Sequence, residues 1–78
     1  MKTKPIQDRT EMSVARVTEI SARSEESFEA AINEGIARAH KTLRNVRSAW
    51  LKEQQVDIEE GRIVGYRVNM LVTFVLDD

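Results

Sequence analysis

The sequence predicts an α+β fold with the element order β-α-β-β, in which one helix covers the apolar face of a single antiparallel sheet. Three observations favour this fold. Apolar residues alternate with small or polar ones from Val64 to Leu76, the pattern of a strand with one buried face. An apolar stripe with three- and four-residue spacing runs through residues 25–43 and predicts an amphipathic helix. A short polar connection at residues 59–62 joins two strand-like runs into a hairpin.

The chain begins with a segment that predicts no regular structure. Residues 1–12 are polar, contain the single proline, Pro5, and follow neither the helical nor the strand period. We therefore expect a disordered N-terminal arm at 1–12 and one domain at 13–78. The first strand of that domain is predicted at Val14–Ile20, where Val14, Val17 and Ile20 supply the apolar side chains.

The helix is predicted from Glu25 to Leu43. Ser24 is the expected N-cap, and Lys41 and Arg44 place positive charge near the C-terminal end, where the helix dipole favours it. Gly35 lies near the apolar stripe and costs the helix about 1 kcal/mol against alanine. Close approach of a strand would explain this glycine. The stripe consists of Phe28, Ala31, Ile32, Ile36, Ala39 and Leu43.

The second strand is predicted at Arg47–Ile58, followed by a tight turn in which Gly61 supplies a positive φ. The third strand, Val64–Leu76, would extend about 40 Å. A compact globule of this chain length has a radius of gyration of only about 11–12 Å. The strand must therefore curve or project into a neighbouring subunit, and we expect the working unit to be an oligomer.

Composition excludes several classes of function. The chain has 78 residues and no cysteine, so disulfides, thiolate metal sites and cysteine nucleophiles are absent. Twelve basic residues nearly balance 13 acidic ones, which makes nucleic acid and membrane surfaces poor candidate partners. No run is apolar enough for a membrane helix or secretory signal, and we expect a cytoplasmic protein. His40, the single histidine, belongs to no recognisable catalytic motif, and we expect no enzymatic activity.

Several short motifs, in register across the chain from Ser13 to Asp78, resemble the dodecin family. They are Val17-Thr18-Glu19-Ile20, Ser24-Glu25-Glu26-Ser27-Phe28, Thr42-Leu43-Arg44-Asn45-Val46-Arg47, Glu59-Glu60-Gly61-Arg62-Ile63, Tyr66-Arg67-Val68 and Val72-Thr73-Phe74-Val75-Leu76. The resemblance implies a curved three-stranded antiparallel sheet partly wrapped around one helix. It also implies a hollow homododecamer with trimeric building blocks that stores a flavin, FMN or riboflavin, and does not catalyse a reaction.

The chain departs from the family at two ligand positions. Ser48 stands where flavin-binding dodecins have the tryptophan that stacks on the flavin ring, and Arg67 stands where they have a glutamine in the last strand. A guanidinium group has only donors and cannot reproduce the donor and acceptor of an amide. We therefore predict an altered flavin site, with flavin binding weakened or lost, at Ser48, Trp50 and Arg67.

Two of these residues have open alternatives. Trp50, two residues after Ser48 on the same face of a strand, either replaces the missing platform or packs in a subunit interface. Arg67 either contacts a phosphate or carboxylate of the ligand or forms an intersubunit ion pair with a glutamate. Arg44, Arg47 and Lys52 are candidates for holding ligand phosphates, or are simply solvated.

The alternative function is a dodecameric shell that binds an ion, calcium, or that is purely structural. Hard cations prefer several carboxylate oxygens, and one carboxylate per subunit can converge at a symmetry axis. Some dodecin relatives that lack the tryptophan are associated with calcium. The candidate carboxylates are Asp57, Glu59, Glu60, Asp77 and Asp78, although a solvated acidic turn is the more common explanation for the first three.

Overall fold

The computed structural model describes residues 14–76. Strand β1 is Ala15–Ser24, helix α1 is Phe28–Thr42, strand β2 is Val46–Glu59 and strand β3 is Arg62–Val75. The predicted order β-α-β-β is confirmed. The arm expected at 1–12 lies outside the described residues, as do the ends of the predicted domain at residues 13, 77 and 78.

The three strands form one antiparallel sheet in the order β1-β3-β2, so that β3 pairs on both sides. The alternation in β3 predicts that its even-numbered residues face the helix. Val68, Met70 and Val72 are fully buried, which confirms this prediction. Val68 and Met70 form the centre of the core with Ala31 of the helix, and Tyr66 adds an edge-to-face ring contact with Phe28 at 5.1 Å.

The helix starts three residues later than the sequence predicts. The N-cap is Ser27, whose hydroxyl accepts a hydrogen bond from the backbone N–H of Ala30 at 3.0 Å. Ser24, the predicted N-cap, is the last residue of β1 and pairs with Tyr66 in the sheet. Because the ladder between β1 and β3 continues to Ser24, the second serine of the Ser-Glu-Glu-Ser run caps the helix.

The helix lies against the sheet at Gly35, as the sequence predicts. A Cβ atom added at Gly35 would lie 2.5 Å from Cε of Met70 and 3.2 Å from Cβ of Ala22. Any side chain at this position would force Met70 to shift, and Gly35 is buried. The helical penalty of the glycine therefore has a clear structural reason.

The hairpin between β2 and β3 closes with a two-residue turn. Glu59 pairs with Arg62, and the two residues between them, Glu60 and Gly61, have φ values of 51° and 78°. Two consecutive positive φ values define the type I′ geometry that matches the twist of paired strands. The positive φ at Gly61 was predicted, whereas the one at Glu60 was not.

The described chain is far from a compact globule. Its radius of gyration is 16.2 Å and its principal extents are 57 × 26 × 15 Å, against about 11–12 Å expected for a compact 78-residue domain. Three irregularities in the pairing of β2 with β3 interrupt the long hairpin. Large apolar side chains such as Ile58 and Ile63, which pair near the hairpin end, are 61% and 53% exposed. These features support the expectation that neighbouring subunits cover part of this surface.

Candidate functional site

The sheet face opposite the helix, which we call the open face, carries the candidate ligand residues. It contains the odd-numbered residues of β3, because the even-numbered ones face the helix. The residues paired with these odd positions lie on the same face. From β1, β3 and β2 the open face includes Val17, Glu19, Ser21 and Arg23; Gly65, Arg67, Asn69, Leu71 and Thr73; and Ser48, Trp50, Glu53, Gln55 and Asp57.

Ser48 and Trp50 are neighbours on the open face, as the strand period predicts. Ser48 is exposed and pairs with Thr73, and Trp50 pairs with Leu71. Trp50 is 70% exposed in the single chain. An indole with that much apolar surface in water is typical of a side chain that a ligand or a partner subunit covers.

Arg67 lies on the same face but not beside the other two residues. It pairs with Gln55, and it is six residues along β3 from Thr73, the partner of Ser48. Six residues of strand span about 20 Å. This separation is too large for one small ligand to contact both Ser48 and Arg67 in the same chain. Within one chain, therefore, Ser48 and Trp50 come together and Arg67 does not join them. A single pocket containing all three would need residues from more than one subunit.

Arg67 forms an ion pair within its own chain. Its Nη2 donates to Oδ2 of Asp57 at 3.0 Å, and Nε of Arg23 donates to the same oxygen at 2.7 Å. The hydrogen bond from Arg23, followed by the charge of Arg67, lowers the pKa of Asp57 below its usual value. The contact with Asp57 likewise raises the pKa of Arg23. The sequence alternatives for Arg67 included an ion pair with a glutamate of another subunit, whereas the observed partner is an aspartate in the same chain.

Two further polar contacts bridge strands on the open face. Lys52 reaches Glu19 across the central strand, with an N–O distance of 3.4 Å. The amide of Asn69 donates to a carboxylate oxygen of Glu53 at 2.9 Å. Lys52, a candidate phosphate contact, is therefore engaged by a carboxylate.

His40 and the groove beside the helix lie away from the polar contacts of the open face. His40 is exposed in the last turn of α1. A groove of about 280 Å³ lies between α1 and β1, on the helix side of the sheet, and contains none of the predicted ligand residues.

Within residues 14–76, no three acidic, histidine or cysteine side chains of one chain cluster as a metal site would require. In that same range no helix has the length and apolar character to cross a membrane.

Arg23, Asp57 and Gly65 are site residues that the sequence reasoning missed. Asp57 was considered only as a possible calcium ligand or as part of a solvated acidic turn, and Arg23 was not singled out. The strand period alone places Asp57 on the wrong face, since it is an odd position in a strand whose even positions Ser48 and Trp50 are on the open face. A register irregularity between Leu51 and Glu53 reverses this parity.

These features define the class of the protein as a single-helix β-α-β-β domain whose sheet has one face covered by the helix and one polar, open face. A family model described as Dodecin matches residues 14–77. The chain belongs to the dodecin family, a family of small binding proteins.

Individual relatives agree with this assignment. A dodecin of Thermus thermophilus is 38% identical over 65 residues, covering 83% of this chain and 94% of its own length. The solved dodecin from Streptomyces davaonensis matches with a TM-score of 0.81 and 36% identity, covering 86% of this chain and 98% of its own. Calcium dodecin from Mycobacterium tuberculosis, described as a calcium-chelating antigen, matches with a TM-score of 0.72 and 32% identity, covering 83% and 93%.

Proposed function

We propose that this protein is a non-catalytic small-ligand storage protein that forms a hollow homododecamer, with an altered flavin site on the open face. The observation that carries the proposal is the placement of Ser48, Trp50 and Arg67 on that face. The first two are adjacent, and Arg67 lies about 20 Å along the strand from the level of Ser48 and about 13 Å from that of Trp50. This separation favours a ligand pocket assembled between subunits. Family membership supports the shell, and the extended shape of the chain supports association.

The altered chemistry of the site argues against strong flavin binding. Ser48 provides no aromatic surface, and stacking of an aromatic side chain on a base contributes about 1–3 kcal/mol per base. Arg67 is engaged by Asp57 and provides donors only. Removal of the stacking contact alone weakens affinity by about five-fold to 150-fold.

Native mass spectrometry tests the shell. The proposal expects a species of twelve chains under mild conditions, and a monomer or dimer would contradict it. A Trp50→Ala variant then distinguishes the two roles of this tryptophan. Loss of the twelve-chain species assigns Trp50 to a subunit interface. Loss of ligand binding in an intact assembly assigns it to the ligand.

Fluorescence titration of riboflavin and of FMN tests the ligand site. Stacking of the flavin ring quenches its emission, so the proposal expects weak quenching with a Kd above about 1 μM. Strong quenching at micromolar or lower Kd would show that the site is intact for flavin despite Ser48 and Arg67. A Trp50→Phe variant is the matched control, because it keeps an aromatic ring at this position.

A calcium-binding or purely structural shell is the rival function, favoured by the similarity to calcium dodecin from Mycobacterium tuberculosis. The described part of a single chain holds no cluster of three acidic, histidine or cysteine side chains. Asp57 is already engaged by two arginines. A calcium site would therefore have to combine carboxylates from several subunits. A rise in Tm with calcium, abolished by a chelator, would favour this rival.

A further inference from the structure

Two arginines face each other across the open face. Arg23 of β1 is the direct cross-strand partner of Arg67 of β3. Like charges at opposed positions destabilise a sheet unless an opposite charge compensates them. Asp57 of β2 provides that charge, since its Oδ2 accepts hydrogen bonds from both guanidinium groups, at 2.7 Å and 3.0 Å. One carboxylate for two guanidinium groups leaves these three residues with a net charge of about +1.

The guanidinium group of Arg23 lies over Gly65, in space that a side chain at this position would fill. Gly65 is buried and pairs with Asp57, and a Cβ atom added at Gly65 would collide with three atoms of the Arg23 guanidinium group. Nη2 of Arg23 also donates to the carbonyl of Val64, at 3.3 Å. Val64 is skipped in the pairing, because Asp57 pairs with Gly65 and Ile58 with Ile63. The irregular strand and the missing side chain thus create the space in which this guanidinium group lies.

Both arginines keep donors that these contacts do not use. A guanidinium group has five N–H donors. Among the described residues, Arg67 donates to Asp57 through Nη2, and Arg23 donates through Nε and Nη2. The two side chains are 39% and 36% exposed, so both remain partly open to solvent in the single chain. Two positioned guanidinium groups match the oxygen geometry of phosphate, to which arginine donates parallel hydrogen bonds.

We propose that Arg23 and Arg67, bridged by Asp57, form an anion site on the open face that binds a phosphate group. This inference rests on the proposed function and deepens it, because it names the chemical group that the storage site recognises. Glu25 is the nearest opposing charge, with Oε2 3.9 Å from Nη1 of Arg23, but its side chain is 80% exposed and the contact is long. Glu59 also acts on Arg23 electrostatically. Water screens both acids more than it screens the bridging aspartate.

Binding of inorganic phosphate to the full-length assembled protein tests the site. Phosphate is titrated at constant ionic strength in a chloride buffer and followed by ³¹P NMR. We expect millimolar binding that weakens about ten-fold in Arg23→Gln and in Arg67→Gln, since each variant removes a charge-assisted contact. Arg38→Gln removes an equal charge from the helix, on the other side of the sheet, and should change the affinity less than about two-fold.

A second variant keeps every charge and changes only the geometry. In Gly65→Ala the new methyl group displaces the Arg23 guanidinium group from its position. Gly65 has no positive φ, so the backbone accepts alanine. We expect phosphate affinity to fall about five-fold or more while Arg38→Gln remains unaffected. Circular dichroism confirms that each variant is folded. Equal phosphate affinity in the natural protein, in both arginine variants and in Gly65→Ala would overturn the proposal, as would the absence of binding at millimolar phosphate.

The phosphate group has two sources, a free ion or the ester of a small ligand. FMN and riboflavin differ only in the phosphate, so their affinities separate these sources. If an ester is bound, FMN binds more tightly than riboflavin, and the difference disappears in Arg67→Gln. If the free ion is bound, inorganic phosphate binds and the two flavins behave alike. Failure of phosphate binding would leave the assembly and riboflavin measurements intact, so the proposed function is judged separately.

Discussion

The close packing of helix and sheet at Gly35 makes a specific prediction about the Gly35→Ala variant. The new Cβ would lie 2.5 Å from Cε of Met70, 3.2 Å from Cβ of Ala22 and 3.5 Å from Cδ1 of Ile20. Met70 is fully buried, so its terminal methyl group has little room to move. The contact with Ala22 requires a displacement of only a few tenths of an ångström.

Two opposing terms set the size of the effect. Overpacking a core costs about 1–3 kcal/mol, whereas alanine is favoured over glycine within a helix by about 1 kcal/mol. We therefore expect Gly35→Ala to destabilise the protein by about 1 kcal/mol. Met70→Ala alone should cost about 2–5 kcal/mol, because it removes the largest fully buried side chain.

The double variant isolates the contact between these two residues. Without the Met70 side chain the principal collision disappears, and the helical preference for alanine remains. Gly35→Ala should then stabilise the Met70→Ala background by about 1 kcal/mol. The coupling energy between the two sites is accordingly about 2 kcal/mol.

Urea unfolding followed by circular dichroism measures this coupling. All variants must be compared at one protein concentration, because association contributes to apparent stability. Ala37→Gly, at an exposed position of the same helix, is the control and should cost about 1 kcal/mol in both backgrounds. An equal effect of Gly35→Ala in both backgrounds would show that its cost does not arise from the contact with Met70.

Three other predictions follow from local geometry. Ser27→Ala should destabilise the protein by about 1 kcal/mol in thermal unfolding, and Ser24→Ala by less, because only Ser27 caps the helix. Glu60→Asn should raise Tm, since asparagine tolerates the positive φ that Glu60 adopts. The hydrogen bond from Arg23 lowers the pKa of Asp57 in the folded chain below its usual value. Its stabilising contribution is therefore present above that value and lost as the pH falls through the folded pKa, so Asp57→Asn should flatten the fall of Tm with pH in this acidic range.

Much of the fold follows from periodicity. The alternation in β3 predicted that Val68, Met70 and Val72 face the helix, and their burial confirms it. The spacing of the helical stripe predicted α1 to within three residues at the N-terminus and one at the C-terminus. The start was wrong because local capping signals at Ser24 and Ser27 are similar, and only pairing with β3 determines which serine remains in the strand.

The site was less predictable because it depends on register. Ser48 and Trp50 were correctly placed on one face, since both precede the irregularity near Lys52. Beyond that point the odd-numbered residues of β2, instead of the even-numbered ones, lie on the open face. Asp57 is therefore beside Arg67. An extra residue in one strand leaves no signature in hydrophobic alternation when most of the strand is exposed. The Arg23–Asp57–Arg67 cluster could therefore be identified only from the three-dimensional pairing of the strands.

Restoration of the stacking platform tests the altered flavin site most directly. FMN is titrated into the assembled natural protein and into Ser48→Trp, with flavin fluorescence as the readout and Ser48→Ala as the control. We predict weak quenching in the natural protein and in Ser48→Ala, and a Kd about ten-fold or more lower in Ser48→Trp. Strong quenching at micromolar or lower Kd in the natural protein, unchanged by Ser48→Trp, would mean that the flavin site is not altered.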